Sequence, residues 1–311
     1  MAREQLGICA EANLHGSYLL LNALEGQEAV LRQKLACLPV LFNRLAEHFS
    51  ESMLTGVIAV GSNYWDSLYP AQRPAGLAPF PALEFDGQSL ATVPADLFIQ
   101  IRSDRLDVNY ITLQQVFQLL RPNVELLEQM QCFRYLDGRD LTGFIDSGYN
   151  ARGGAKRKIA LVSAQPLFAG GSFVHVQRFY YDLPHWQQLP VTQQENIMGI
   201  NKVDGKWLPQ ERLSDNSHVL MMHCGQPEQR PAVLLQNMPF GQLSRQGLLS
   251  VSYAAQGDAF GRILHYRLGL TEETSGYDLL LDYMQPDWGA AFFAPSVSFL
   301  EMAAQADLNS P

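Results

Sequence analysis

The chain carries one series of elements twice, and that internal repetition limits its fold more than any other feature. Gly16-Ser17-Tyr18-Leu19-Leu20-Leu21 opens the first half as a short strand after a polar turn. Gly171-Ser172-Phe173-Val174-His175-Val176 opens the second half in the same way. After the first strand, Leu31, Leu35, Leu38, Phe42, Leu45 and Phe49 form one apolar stripe at helical spacing. Pro39 falls inside it, removes a hydrogen-bond donor and crowds the preceding turn, so two helical pieces are expected. Residues 56–61 and 96–102 read as strands, and a helix with Leu113, Val116, Phe117 and Leu120 inward follows. The intervening segment from Pro70 to Pro94 is rich in Pro and Gly and reads as a long surface connection. In the second half, residues 171–181 and 247–253 read as strands, the latter feeding a helix around Phe260, Ile263 and Leu264. Strand, helix, strand, strand, helix in each half predicts an α+β protein of duplicated ferredoxin-like halves. Their antiparallel sheets would pack face to face, as in the dimeric α+β barrel type, with halves at 1–145 and 146–311 and residues 145–170 as the link.

Composition narrows the function classes. With 47% hydrophobic and 17% charged residues over 311 positions, the chain can bury a sizeable core. The longest early apolar run, Tyr18 to Leu21, is far too short to cross a bilayer, and residues 1–16 lack the continuous apolar region of a signal peptide. Four scattered cysteines (Cys9, Cys37, Cys132, Cys224) form no CxxC pair, so a reducing cytoplasm is expected. A net charge of −9 argues against nucleic acid as a partner. The one short basic run, Arg152 to Lys158, reads as a solvated loop.

Two places carry candidate chemistry. Residues 133–150 pack turns and glycines around Asp146, and a carboxylate on a glycine-rich loop is poor packing but useful for proton transfer. Among the histidines, His48 sits near a helix end, His175 lies along a strand and His265 falls in a helix. His218 differs: residues 214–224 begin polar and then read as an apolar strand, so this imidazole can point into a cavity from a fixed backbone. A zinc site shared by His218, His223 and Cys224 is disfavoured, because the odd offset puts the two histidines on opposite faces of a strand. A single axial ligand to haem iron needs only one histidine and an apolar slot.

With these residues in view, the chain resembles the dye-decolourising (DyP-type) haem peroxidases, especially the short cytoplasmic bacterial branch. The resemblance runs in order through residues 94–102, the loop Asp140 to Asp146, the strand Gly170 to Arg178 and Ser217-His218-Val219. It continues through Asn237-Met238-Pro239-Phe240-Gly241 and Phe292-Phe293-Ala294-Pro295-Ser296. It implies haem b as cofactor, with His218 as the proximal ligand to the iron and Asp146 as the distal acid–base. It also implies hydrogen peroxide and a small reductant as substrates. Asn237 and Asn150 stand at distal-site positions, and Asp282 is the expected carboxylate partner of His218. Exposed antiparallel edges, together with the resemblance, favour a homodimer or larger ring.

The departures from the family pattern are equally specific. The distal loop reads Asp146-Ser147-Gly148-Tyr149-Asn150-Ala151 where the family usually has Asp-Gly-Thr-Glu-Asn-Pro. Leu235 stands where the family places a distal arginine. Ile200 replaces an arginine expected near a haem propionate, a role for which Arg178 or Lys202 are the available substitutes. Three readings follow: a peroxidase of reduced activity, a non-catalytic haem-binding or haem-delivery protein, or a relative that has lost haem.

Overall fold

A computed structural model describes residues 2–85, 88–226, 228 and 231–308. The first half contains β1 (His15–Ala23), α1 (Glu28–His48), β2 (Thr55–Gly61), β3 (Leu97–Ser103), α2 (Leu106–Leu120) and β4 (Val124–Phe133). Its strands lie side by side in the order β4-β1-β3-β2. The second half contains β5 (Ser172–Tyr181), the short α3 (His218–Met222), β6 (Leu234–Leu235), β7 (Met238–Gln242), β8 (Arg245–Ala254), α4 (Ala259–Arg267) and β9 (Met284–Ala294). Its strands lie in the order β9-β5-β8-β6, with β7 also paired to β8. Counted within each half with β7 set aside, both orders are fourth, first, third, second, so the two halves share one topology. The halves are ferredoxin-like, and each sheet is antiparallel.

The two sheets join through a short pairing of β2 with β9, Val60 to Phe293 and Gly61 to Phe292. Alternation along each strand then gives two apolar faces. On the inner face, Tyr18, Leu20, Val57 and Phe98 of the first half share one core with Val174, Val176, Leu249, Val251 and Phe292 of the second. On the outer face of the first half, α1, α2 and the C-terminal helix Val297–Leu308 cover Leu19, Leu21, Ile58 and Ile99. The outer face of the second half carries Phe179 and Tyr181, and a cover of short helices encloses them. The candidate site lies under that cover.

Three local expectations give way to tertiary packing. α1 runs unbroken from Glu28 to His48 with Pro39 buried inside it. The stripe Leu31, Leu35, Leu38, Phe42 and Leu45 is buried along its whole length, and that burial offsets the one lost backbone bond. The segment from Pro70 to Pro94, of which residues 86 and 87 lie outside the described residues, is more than a surface connection. It buries Leu77, Phe80 and Leu90, and Phe80 packs against Phe260 with ring centroids 5.6 Å apart. The run from Arg152 to Lys158 lies largely in a helix, Gly154–Ala160, with Lys156 buried and 2.7 Å from Glu11.

Candidate functional site

His218 is the first residue of α3, a helix where an apolar strand was expected. Just before α3, Ser217 is packed against Gly199, which ends the preceding helix (Val191–Met198) at φ +78°. A Cβ on Gly199 would stand 2.8 Å from the Ser217 hydroxyl, so only glycine allows this approach.

The His218 Nδ1 lies 2.8 Å from Oδ2 of Asp278, and that same oxygen accepts from Arg267 Nε at 2.7 Å. Asp278 is fully buried, and its other oxygen accepts from the backbone N–H of Leu280 at 3.0 Å. Burial alone would raise this carboxyl, but the His218 ring that donates to it and the Arg267 guanidinium beside it hold it well below the usual carboxylate range. An ionised acceptor at Nδ1 fixes the proton there and leaves Nε2 with its lone pair. Asp282, four residues later, is exposed and accepts from Tyr277 at 2.8 Å. The partner of His218 is therefore Asp278 and not Asp282. Two aspartates flank Leu279-Leu280-Leu281, and only the one capping the turn is drawn inside.

Asp146 lines the same cavity as His218. The walls include Asp140, Tyr149, Ile200 and Trp207, and the volume is about 170 Å³. The Asp146 carboxylate accepts from Asn237 Nδ2 at 3.0 Å and from Ser147 Oγ at 3.0 Å. Desolvation, reinforced by the charge of Asp140, pushes its pKa up to about 6. Asp140 is itself buried, accepting from Thr142 N at 2.8 Å and from the Tyr181 hydroxyl at 3.1 Å. Ser147 adopts φ +51°, a left-handed conformation that a side chain resists, and its hydroxyl bonds to Asp146 hold it there. Asn150 clasps the strand opposite, donating to the Leu235 carbonyl at 2.7 Å and accepting from its N–H at 3.0 Å. It holds the loop and does not line the cavity shared by Asp146 and His218.

Other expected residues lie elsewhere. Arg178 is drawn to Glu128 and Asp287 on the sheet, with Asp287 Oδ2 2.6 Å from its Nε, and so cannot stand in at Ile200. Lys202 donates to Gln194 at 2.6 Å and lies over the Phe144 ring, outside the cavity wall. The opposite charges and polar groups near each cation decide its direction. Leu235 is buried against Val233, Phe260 and Ile263, so it adds apolar contact and no charge. His223 bonds through Nδ1 to the Val219 carbonyl at 2.6 Å and packs edge-on to Tyr149 and Trp207. Among the described residues no cluster of His, Cys, Asp or Glu could hold a metal ion by itself. Sequence reading missed Arg267, Asp278 and Asp140, because each depends on contacts between distant segments; of Leu235, Ile200 and Tyr149, which it expected to narrow the pocket, Ile200 and Tyr149 line this cavity.

Chemically, the cavity pairs a histidine with a free ring nitrogen and a carboxyl group that changes protonation near neutrality. Comparison with known proteins gives a consistent result. Residues 5–134 match the family model described as Dyp-type peroxidase, N-terminal, and residues 137–299 match Dyp-type peroxidase, C-terminal. A dye-decolorizing peroxidase of Mycolicibacterium paratuberculosis is 30% identical over 91% of this chain and 81% of its own length. A Shewanella oneidensis protein, solved as a candidate DyP-type peroxidase, superposes with a TM-score of 0.92 at 37% identity, covering 97% of this chain and 99% of that one. Rhodococcus jostii DypB, as an arginine-to-leucine variant in complex with heme, gives a TM-score of 0.86 at 27% identity over 94% and 96% of the two chains.

Proposed function

Because the chain belongs to the DyP-type peroxidase family, we propose that it is a haem b protein that uses hydrogen peroxide to oxidise a small reductant by one-electron steps. Its rate is lowered by the missing distal guanidinium. The observation that carries this reading is the chain Arg267–Asp278–His218, which ends on a cavity that Asp146 also lines.

The donor set fits haem iron. His218 would hold the metal through Nε2, with Asp278 fixing the ring and raising its basicity. Arg267 shares the Asp278 oxygen and moderates that effect. When bound, haem supplies the iron at which peroxide reacts. The chain's part is proton handling: Asp146, poised near pH 6, takes a proton from one peroxide oxygen and returns it to the other. Asn237 and Ser147 orient that carboxylate, and Asn150 keeps the loop in place. Leu235 offers no donor to the departing oxygen, and loss of one such donor costs ~2.7–4 kcal/mol, or about 10²–10³ in rate. The Rhodococcus jostii variant, which carries leucine for an arginine and is in complex with heme, supports haem binding without a full set of arginines.

A second reading, that the chain has given up haem, is favoured by one observation. The cavity of about 170 Å³ is smaller than the roughly 300–1,000 Å³ of ordinary ligand pockets, and Tyr149 and Ile200 stand in its wall. A tetrapyrrole enters only if these side chains move.

Four free cysteines and the lack of any helix long and apolar enough to cross a membrane, among the described residues, support a cytoplasmic setting. Exposed Leu126 and Leu127 on the edge strand β4 support self-association.

The deciding experiment is the visible spectrum of protein expressed with a haem supply, beside His218→Ala. A Soret band that the substitution abolishes or shifts, with slow peroxide turnover, supports the first reading. A colourless wild type leaves the second.

A further inference from the structure

A second cavity, of about 350 Å³, opens on the other side of the loop 145–148 and includes Arg102 in its lining. Arg102 is 3% exposed, yet among the described residues it has no carboxylate within ion-pair distance. Its Nη1 donates to Gln236 Oε1 at 2.9 Å, an oxygen already shared with Gln100, and its Nε is buried with no partner. A guanidinium cannot shed its proton, so burial without a counter-charge is costly unless an anion completes the site. The surrounding sequence preserves this arrangement. Gly16 lies opposite Arg102 across β1 and β3, and a Cβ there would come within 2.8 Å of the Tyr18 hydroxyl and 2.7 Å of the Met238 sulfur. The Tyr18 hydroxyl is itself buried without a partner, and so is the Asn237 Oδ1 in the cavity lining.

The rest of the lining sets Arg134, Arg139, Arg152 and Lys156 against Glu11, Asp137 and Asp146, with Arg139 paired to Asp137, and so keeps an excess of positive charge in a chain whose net charge is −9. Arg134, Arg152 and Lys156 converge there. Lys156 is answered by Glu11, and Arg134 reaches only the carbonyl of Asp137, at 2.8 Å. No acid answers Arg152 among the described residues. The volume falls within the range of ordinary small-molecule pockets, and a planar fork of N–H donors suits a carboxylate or phosphate group.

We propose that this cavity binds a small molecule bearing a carboxylate or phosphate group, with Arg102 as its anchor and Arg152 and Arg134 at the mouth. The site does not depend on haem. Because Asp146 and Ser147 line both cavities, a molecule held here lies against the back of the loop that carries the candidate acid–base.

The test is thermal unfolding of the purified full-length protein with sodium phosphate or sodium benzoate at 10 mM. Chloride keeps ionic strength constant, and isothermal titration gives the affinity. For a dissociation constant near 1 mM, wild type should gain about 2–4 °C in Tm with at least one anion. Response to both identifies the oxyanion alone as the recognised group; response to benzoate only identifies an organic carboxylate. Arg102→Met keeps the shape and removes the charge, so it should fold and lose the response. No response in wild type, or an equal response in Arg102→Met, overturns the proposal. Should Arg102→Met fail to fold, Arg152→Ser decides by titration: at least threefold weaker binding supports the site, and unchanged affinity rejects it.

Discussion

The Nδ1 of His218 lies 2.8 Å from Oδ2 of Asp278, a carboxylate with no solvent exposure. This pair fixes the imidazole's tautomer and its direction, and Arg267 locks the pair from behind. Everything proposed for the cavity depends on that imidazole presenting Nε2.

Removing the buried carboxylate strands Arg267 and frees His218. Asp278→Ala is expected to lower unfolding stability by about 3–5 kcal/mol, because the surviving charge stays buried without a partner. Asp282→Ala touches only an exposed bond to Tyr277 and should stay within about 0.5 kcal/mol of wild type. Urea unfolding of both variants checks this, and equal losses would contradict the assignment of Asp278. The ionised Asp278 stabilises the fold above its unfolded pKa. That contribution is lost as pH falls below about 4, through the depressed folded value.

Asp146 has the opposite sign. Its pKa is raised from 3.8 to about 6, so the folded form keeps a proton that the unfolded chain has released. Stability from this group is present below about pH 4 and lost as pH rises through about 6. The ceiling is about 3 kcal/mol; with partial solvent access at the loop, about 1–2 kcal/mol is expected. Denaturant unfolding of wild type and Asp146→Asn at intervals from pH 4 to 7.5 should show the stability advantage of wild type over the variant shrinking as pH rises through about 6. In haem-loaded protein, the rate of reaction with peroxide should rise through pH 6 and become flat and slow in Asp146→Asn.

Leu235→Arg places a guanidinium at the proposed distal position. The side chain enters an apolar neighbourhood with Val233 and Phe260, so a stability loss of about 1–3 kcal/mol is expected. In haem-loaded protein, the reaction with peroxide should nonetheless speed up, by at least ~10-fold out of the ~10²–10³ available. Stopped-flow mixing with peroxide measures it; no gain would mean that this wall no longer faces the reacting oxygens.

Tyr149 walls the cavity and packs edge-on to His223, ring centroids 5.0 Å apart. Tyr149→Ala should enlarge the space beside His218 and raise haem uptake, read as the ratio of Soret to protein absorbance after reconstitution. An unchanged ratio would show that Tyr149 does not limit entry.

Much of this molecule follows from local pattern. The stripe from Leu31 to Phe49 specifies a helix whichever half it packs in. The repeated strand-helix-strand order specifies two ferredoxin-like units, because alternating and helical periodicities are properties of neighbouring residues. Asp146 and His218 stand out for the same reason: a carboxylate among glycines and a histidine at a polar–apolar junction are anomalies visible in a short window.

What the sequence does not hold is the choice among near-equivalent residues once segments meet. Asp278 and Asp282 flank the same three leucines, and only packing against Arg267 and His218 decides that the first is buried. Pro39 reads as a break, yet burial of the whole apolar stripe outweighs one missing bond. Arg178, Lys202 and Arg102 look alike as letters; Glu128 and Asp287 claim the first, Gln194 the second, and among the described residues no acid reaches the third. Periodicity and turn chemistry are short-range and can be read along a chain. Burial and charge pairing depend on which distant atoms come within a few ångströms, and only the tertiary structure sets that.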